Sequence, residues 1–521
     1  MTASRRLAIA LVLSGPTLAL AQDPFAPSER WSAAPTAAAW LPESVAFAGD
    51  DAFVWTAVRG DSDALLLFDA VDEGQAAPRA RVPRLPGEFG TPLVAAGERG
   101  DAVFALRQVE APDAYRRAPI VSALDPRAAA ATSWTHDMDV RINGPVRLAA
   151  DADGSIVVAA AWDDRNARVR IDVLDGTDGA LFGRTDLPAI GLSALAVSAD
   201  GSRIVVVAGL TLYSLDANAG LVGSTPLGVA THALAISADG GTIAHGTFGA
   251  VEVLADFPGL GLVPVGTIPG SSDEIPSRIA LSSDGTIAAI GWWRYTTGIA
   301  ARLELYDRLF GFPLAEQRLT EKPGATQNLV SAIAIASDGQ RAAFGTWGNG
   351  TEAEVFVLGI GVPGPVLVVD TPGSVRGLDL DASGTRVAVA SKDVHASTFG
   401  SRGEVRLVDT GERPLQLLDT PVLGGELAVA ARRPGASIGW FLIGERGDPL
   451  QIPGITGALL LERGRIQIHV KTPDASGRID LSLPIANTPA LRGRQLHVQS
   501  AFRSPGAFEL SGNLVSPFVL D

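Results

Sequence analysis

Apolar and polar positions along this chain alternate in short runs, and the runs come in a fixed order. In Ala194-Leu-Ala-Val-Ser-Ala-Asp200-Gly201 an alternating run ends in a turn; Ile204-Val-Val-Val-Ala follows as a continuous apolar run; Thr211-Leu-Tyr-Ser-Leu-Asp216 closes the unit on an aspartate. Alternation with period two marks a half-buried strand, and a short unbroken apolar run marks a strand covered on both faces. Asp-Gly suits the hairpin between them, because glycine takes positive φ at no steric cost and aspartate bonds its own backbone. The turn recurs at Asp239-Gly240, Asp284-Gly285 and Asp338-Gly339, as Asp153-Gly154 and Ser383-Gly384, and more weakly at Asp50-Asp51 and Arg99-Gly100. The third run recurs at Leu65 to Asp69, Val121 to Asp125, Ile171 to Asp175, Val251 to Asp256, Leu303 to Asp307, Val355 to Gly359 and Val405 to Asp409.

From Asp69 to Asp409 there are seven steps over 340 residues, a mean period of about 49. A strand-rich repeat of roughly 40–50 residues with one such turn per unit is the pattern of a β-propeller blade. Each blade has two apolar faces that only its neighbours can cover, so the units close into a ring; a long antiparallel sandwich is the alternative. The pattern resembles the WD40-like and YVTN-type secreted propellers over residues 43–421, a resemblance specific to fold and nearly silent on function. The expected architecture is all-β: a propeller with eight blades, or seven, the commoner count in such families, followed by a small β-sandwich-like module. The last fourth strand is expected from Pro414 to Leu418, or else from the segment 22–42, which would lock the ring and account for Trp31 and Trp40. Residues 422–521 lose the repeat but keep strand-length runs at Leu427 to Ala431, Ile438 to Ile443, Ala458 to Leu461, Ile466 to Val470, Ile479 to Leu483, Leu496 to Phe502, Phe508 to Leu510 and Val515 to Leu520. The stretch from Leu483-Pro484 to Gly512-Asn513 resembles a C-terminal β-rich module carried by many secreted bacterial proteins, which adds a domain and no mechanism.

The first 21 residues read as an export signal. Arg5 and Arg6 precede an apolar run from Leu7 to Leu13, and Ala19-Leu20-Ala21 supplies the small residues a signal peptidase accepts. That run is too short to anchor the chain, and no later run reaches the length of a membrane span. The expectation is a secreted or periplasmic protein. The chain of 521 residues has 58 Gly, 34 Pro and no Cys, which favours turns and excludes disulfides, thiolate metal sites and a cysteine nucleophile. Its formal charge of −15 argues against nucleic acid as a partner. Residues 422–521 carry ten basic and eight acidic side chains, so the acidity belongs to the ring.

Aligning the units places Trp162, Asp163, Asp164 and Arg165 in the loop between the second and third strands of the third repeat. The same loop holds Tyr115 with Arg116 in the second, Phe248 in the fifth, Trp292, Trp293, Arg294 and Tyr295 in the sixth, Trp347 with Asn349 in the seventh, and His395 with Phe399 in the eighth. These loops emerge on one face of a propeller. Aromatics beside Arg and Asp suit a sugar or a protein hot spot; the plainer reading is that the rings pack between blades or plug the axis. Metal and cofactor signals are thin. Asp151-Ala-Asp153-Gly154 lacks the later acceptors of a calcium loop, and the six His show no ligand spacing, with His232 and His245 as the one pair in a repeat. Nucleophile-elbow, Walker and Rossmann patterns are missing, so no cofactor and no metal is expected. Asn349-Gly350-Thr351 matches a glycosylation sequon but reads as a loop turn. The leading expectation is a non-catalytic secreted propeller binding a protein or glycan through its aromatic face. The runner-up is a propeller enzyme, a lactonase, other hydrolase or quinoprotein-like, with Asp163, Asp164, Arg294 and His395 at the axial mouth.

Overall fold

The computed structural model describes residues 28–515 except 35–39, 49–52, 61, 71–73, 76, 98–101, 112–115, 127, 129, 230, 232, 258–260, 295–299, 310, 320–327, 338, 361–363, 383, 396–397, 411–414, 419–420, 434–435, 452–457, 462–465, 492–495 and 505–506. The leader-like residues 1–21, the turns at Asp50-Asp51 and Arg99-Gly100, and Tyr115, His232 and Tyr295 lie outside the described residues.

The described residues form eight antiparallel sheets in succession, the first built from Trp40–Ala48, Phe53–Gly60, Asp63–Asp69 and Ala80–Pro83. The third has Val146–Ala150, Ile156–Asp163, Arg168–Asp175 and Leu181–Pro188 in spatial order, and the sixth Glu274–Leu281, Ile287–Arg294, Ala301–Asp307 and Phe312–Arg318. First strands lie against first strands around the axis, and that of the eighth sheet, Val375–Leu380, returns to that of the first. An apolar cluster fills every gap between neighbouring sheets, such as Val158, Ala160, Ile171, Ile204 and Val206 between the third and fourth. The chain is therefore a β-propeller, all-β as its alternation predicts.

Closure comes from the N-terminal side. Ser28–Ala33 pairs antiparallel with Gly403–Asp409 as the fourth strand of the eighth sheet, with Ser28 opposite Asp409 and Ala33 opposite Val405, and the two-residue strand Gly74–Gln75 pairs parallel with it at the sheet's edge. Arg30 donates from Nε and Nη2 to Asp409, at 3.2 and 3.0 Å. Trp31 stacks on Phe68 and shares the gap between the eighth and first sheets with Trp40. Of the two expected sources of the closing strand, 22–42 is used. Leu415–Leu417, within the other, pairs instead with Glu426–Arg432 in the C-terminal part.

The sequence turns have two structural jobs. Within a sheet, a side-chain oxygen at the turn's start accepts the N–H five residues on: Ser198 from Arg203 at 3.0 Å, Ser237 from Thr242 at 2.9 Å, Ser282 from Ile287 at 3.0 Å. Asp151 and Asp381 do the same for Ile156 and Arg386, so Asp151 is a turn residue, and no metal-holding group occurs among the described residues. Between sheets, successive turns bond by backbone: Ala152 N–H to Ala199 O, Asp200 to Ala238, Ala238 to Ser283, Ser283 to Ser337 and Ser337 to Ala382, at 2.9 to 3.1 Å. Gly240 sits at φ 71°, and an added Cβ would lie 2.6 Å from Arg203 Cβ of the preceding sheet. Glycine is thus required there for conformation and for close approach. The aspartate ending the third strand also has a local cause: Asp216 Oδ1 accepts the N–H of Asn218 and of Gly220, and Asp307 Oδ1 that of Leu309, tying the next turn.

In the C-terminal part, Leu415–Leu417, Glu426–Arg432 and Arg478–Pro484 make one sheet, and Gln467–Lys471, Ile438–Gly444, His497–Ser504 and Ala507–Val515 another. Val429, Leu481, Phe441, Val498 and Phe502 form a common core between them. Arg446–Gln451, paired with Ala458–Leu461, is a strand the sequence pattern did not mark.

Candidate functional site

The loops joining second and third strands carry the expected aromatics, and strand geometry sorts them. Trp162, Phe248, Trp293 and Trp347 occupy the equivalent position, within one residue of the end of their second strands. Trp292 stands one residue earlier, and successive side chains on a strand point to opposite faces. Trp292 is consequently buried completely: its indole N–H donates to Glu304 at 2.7 Å and Arg302 lies over its ring, 4.7 Å from the centroid. Arg302 also binds Glu274 at 2.7 Å. Burial pushes the Glu304 carboxyl above its ordinary range. Trp292 is thus a core residue, correcting its reading as a surface contact.

Trp162 is half-buried, packed with the cluster between the third and fourth sheets and over Gly144, where an added Cβ would meet its ring at 2.4 Å. Trp293 and Trp347 are half-buried. Asp163 is buried and holds its own turn, accepting from Asn166 Nδ2 at 2.6 Å and Arg168 Nε at 3.1 Å. Burial pushes its carboxyl up, but these bonds outweigh it and hold it below the usual range. Asp164 accepts from Arg116 at 3.1 Å, joining the second sheet to the third, and Arg165 is exposed beside it. Arg294 pairs with Asp273 at 2.9 Å. The structure does not gather Asp163, Asp164, Arg294 and His395: each is engaged separately on its own sheet or a neighbour.

His395 has the most distinctive surroundings. Its Nε2 meets Oε1 of the fully buried Glu354 at 3.0 Å, while Oε2 of Glu354 accepts the Thr371 N–H at 2.9 Å. Burial raises the Glu354 carboxyl above its ordinary value. Gly348 lets the pair form, since an added Cβ would lie 2.6 Å from His395 Cδ2. Asn349 closes this loop as an Asx turn, its Oδ1 accepting the N–H groups of Thr351 and Glu352 at 2.9 and 3.0 Å. Neither Glu354 nor Thr371 stood out in the sequence, because they lie outside the repeated motif.

Solvent on this face meets a different set of side chains. Phe248 is 62% exposed and Phe399 99%, as their loops imply; Ile190 at 80% and Leu210 at 56% were not anticipated. Ile190 and Leu210 are adjacent, because Gly209 N–H donates to Gly191 O at 3.0 Å and binds the two loops together. An apolar residue inside the Gly209-Leu210 turn was the signal available, since turns otherwise favour polar side chains.

A succession of four-stranded antiparallel sheets whose first strands close on one another around an axis defines the class: a β-propeller. No family model matches the chain, and no curated protein matches it in sequence. Among solved structures its fold is similar to the Dos1 propeller, at 10% identity and a TM-score of 0.51 over 75% of this chain and 97% of that one. It also matches the Cps50 (Swd1) β-propeller domain of Myceliophteria thermophila, at 12% identity and a TM-score of 0.43 over 73% and 99%.

Proposed function

We propose that this protein is a secreted, non-catalytic propeller of the WD40-like/YVTN type that binds a partner protein, or a glycan, through its loop face. The observation that carries this reading is the exposure there of Ile190, Leu210, Phe248 and Phe399, on turns held by backbone hydrogen bonds. Large apolar side chains presented in water on a rigid frame are what an interface core is made from. Export rests on the leader-like residues 1–21; the mature N-terminus, read by terminal sequencing, is expected at Gln22. The decisive comparison is wild type against Leu210→Asp/Phe248→Asp, immobilised and exposed to the native extracellular fraction and to a glycan array. Both substitutions are at exposed turns, so the thermal midpoint should hold while a partner retained by wild type is lost. Retention of the same partner by the variant would overturn the reading.

One observation favours the enzymatic alternative: a buried, raised Glu354 touching His395 is a pair suited to general acid–base chemistry. A lactonase or hydrolase of this kind would lose turnover in Glu354→Gln while folding normally; equal turnover in both proteins rules the pair out.

A further inference from the structure

The turns align the first strands residue by residue. Four positions ahead of Asp151, Ser198, Ser237, Ser282, Ala336 and Asp381 stand Arg147, Ala194, Ala233, Arg278, Ala332 and Gly377. In four of these six sheets the position is small and the alanines are buried; an added Cβ on Gly377 would lie 2.6 Å from Ser44 Cα in the adjoining first strand. The gap admits little more than a methyl group. An arginine there has to run out along the axis, and two sheets carry one at the same level.

Neither arginine meets a carboxylate among the described residues. Arg147 donates from Nε and Nη2 to Ser193 O, at 3.1 and 2.8 Å, and from Nη1 to Val146 O at 2.8 Å; Arg278 donates from Nη1 to Ser277 O at 2.8 Å. Arg302, Arg376 and Arg107, by contrast, each meet a carboxylate, that of Glu274, Glu43 and Glu88 respectively. What sets Arg147 and Arg278 apart is that two guanidinium groups bound to backbone carbonyls share one level of the axis, in a chain of net charge −15. Arg278 is open to water, yet burial lowers its pKa and the charge of Arg147 lowers it further; burial alone acts on Arg147. The two arginines stand at one level of first strands three sheets apart in a ring of eight, and so on nearly opposite sides of the axis. First strands are only partly covered where second strands are fully buried, as with Leu148 and Ala149 beside Val158 and Ala159, so solvent enters along the axis. Next to the arginine level stand the half-buried aliphatic side chains Leu148, Leu195 and Ile333.

We propose that the axial channel is a binding site for an organic carboxylate, its oxyanion held between Arg147 and Arg278 and its aliphatic body against Leu148, Leu195 and Ile333. Guanidinium donors match an oxyanion in geometry and charge, and an anion between them relieves their mutual repulsion. This site is independent of the loop-face reading.

The test is isothermal titration of the full chain with octanoate, with inorganic phosphate, and with octanol as the neutral control. Arg147→Ala, Arg278→Ala and the double variant place alanine where the fourth, fifth and seventh sheets already have it, so they are expected to fold; thermal unfolding without ligand verifies this. Wild type should bind octanoate saturably and more tightly than phosphate, with no octanol binding. Each single variant should weaken octanoate roughly tenfold or more, about the worth of one charge-assisted contact, and the double variant should lose it. Octanoate binding that survives in the double variant, or no saturable oxyanion binding by wild type at millimolar concentration, overturns the proposal. Phosphate binding as tight as octanoate overturns its aliphatic half.

Discussion

Neighbouring tryptophans in one strand end illustrate how much a single position decides. Trp292 fills the gap between the fifth and sixth sheets and donates to buried Glu304, whereas Trp293 faces the other way and is half-covered. Trp292→Ala should therefore cost about 3–5 kcal/mol, as large core truncations do, and Trp293→Ala about 1 kcal/mol; urea midpoints of the two variants measure the contrast. Asp172 makes a pH prediction at the same scale. It is buried, and burial pushes its carboxyl up, but His136 Nε2 at 2.8 Å and two bonds from Arg184 at 2.7 Å hold it below the ordinary 3.8. Because the folded value is the lower one, the stabilisation is present above about pH 4 and is lost as pH falls through that depressed value. Asp172→Asn should lower stability at neutral pH and flatten its decline below pH 4, read from denaturant midpoints against pH. The sequence showed that both tryptophans end a strand, but not which one the sheet turns inward, since that depends on the register with Pro276 and Ile275 across the ladder. Nor did it reveal Arg147 and Arg278 as a pair: 131 positions separate them, and only superposed sheets bring them level.

Among elements, the turns and third-strand aspartates were legible because each solves a local backbone problem repeatedly, and repetition survives divergence elsewhere. Most C-terminal strands were legible for the same reason, alternation being local. What was open was which segment finishes the eighth sheet, because pairing between Ser28–Ala33 and Gly403–Asp409 is decided by contacts 379 positions apart. Deleting residues 22–34 removes Trp31 from its stack on Phe68 and bares the edge of Gly403–Asp409. The expected loss is on the order of 3–5 kcal/mol from the buried indole alone, with a lowered thermal midpoint and new proteolytic cleavage near residues 403–409. An unchanged midpoint would mean that the inter-sheet clusters hold the ring without its closing strand.

For the molecule as a whole, stability is distributed around a circle. Eight apolar gaps and a chain of turn-to-turn hydrogen bonds each join only neighbours, so damage at one gap is felt at both ends of the circuit. Such a frame would hold both proposed sites, the loop rim and the axis, in fixed geometry. The closing strand carries a further consequence, in time. Ser28–Ala33 emerges first in synthesis and its partner some 370 residues later, so the ring stays unlatched until nearly the whole propeller sequence exists. Contacts this distant form slowly, and a chain threaded across a membrane from its N-terminus would keep that latch open during passage, setting on the far side. In refolding from denaturant, quenching of Trp31 by its surroundings should be the last fluorescence change to complete.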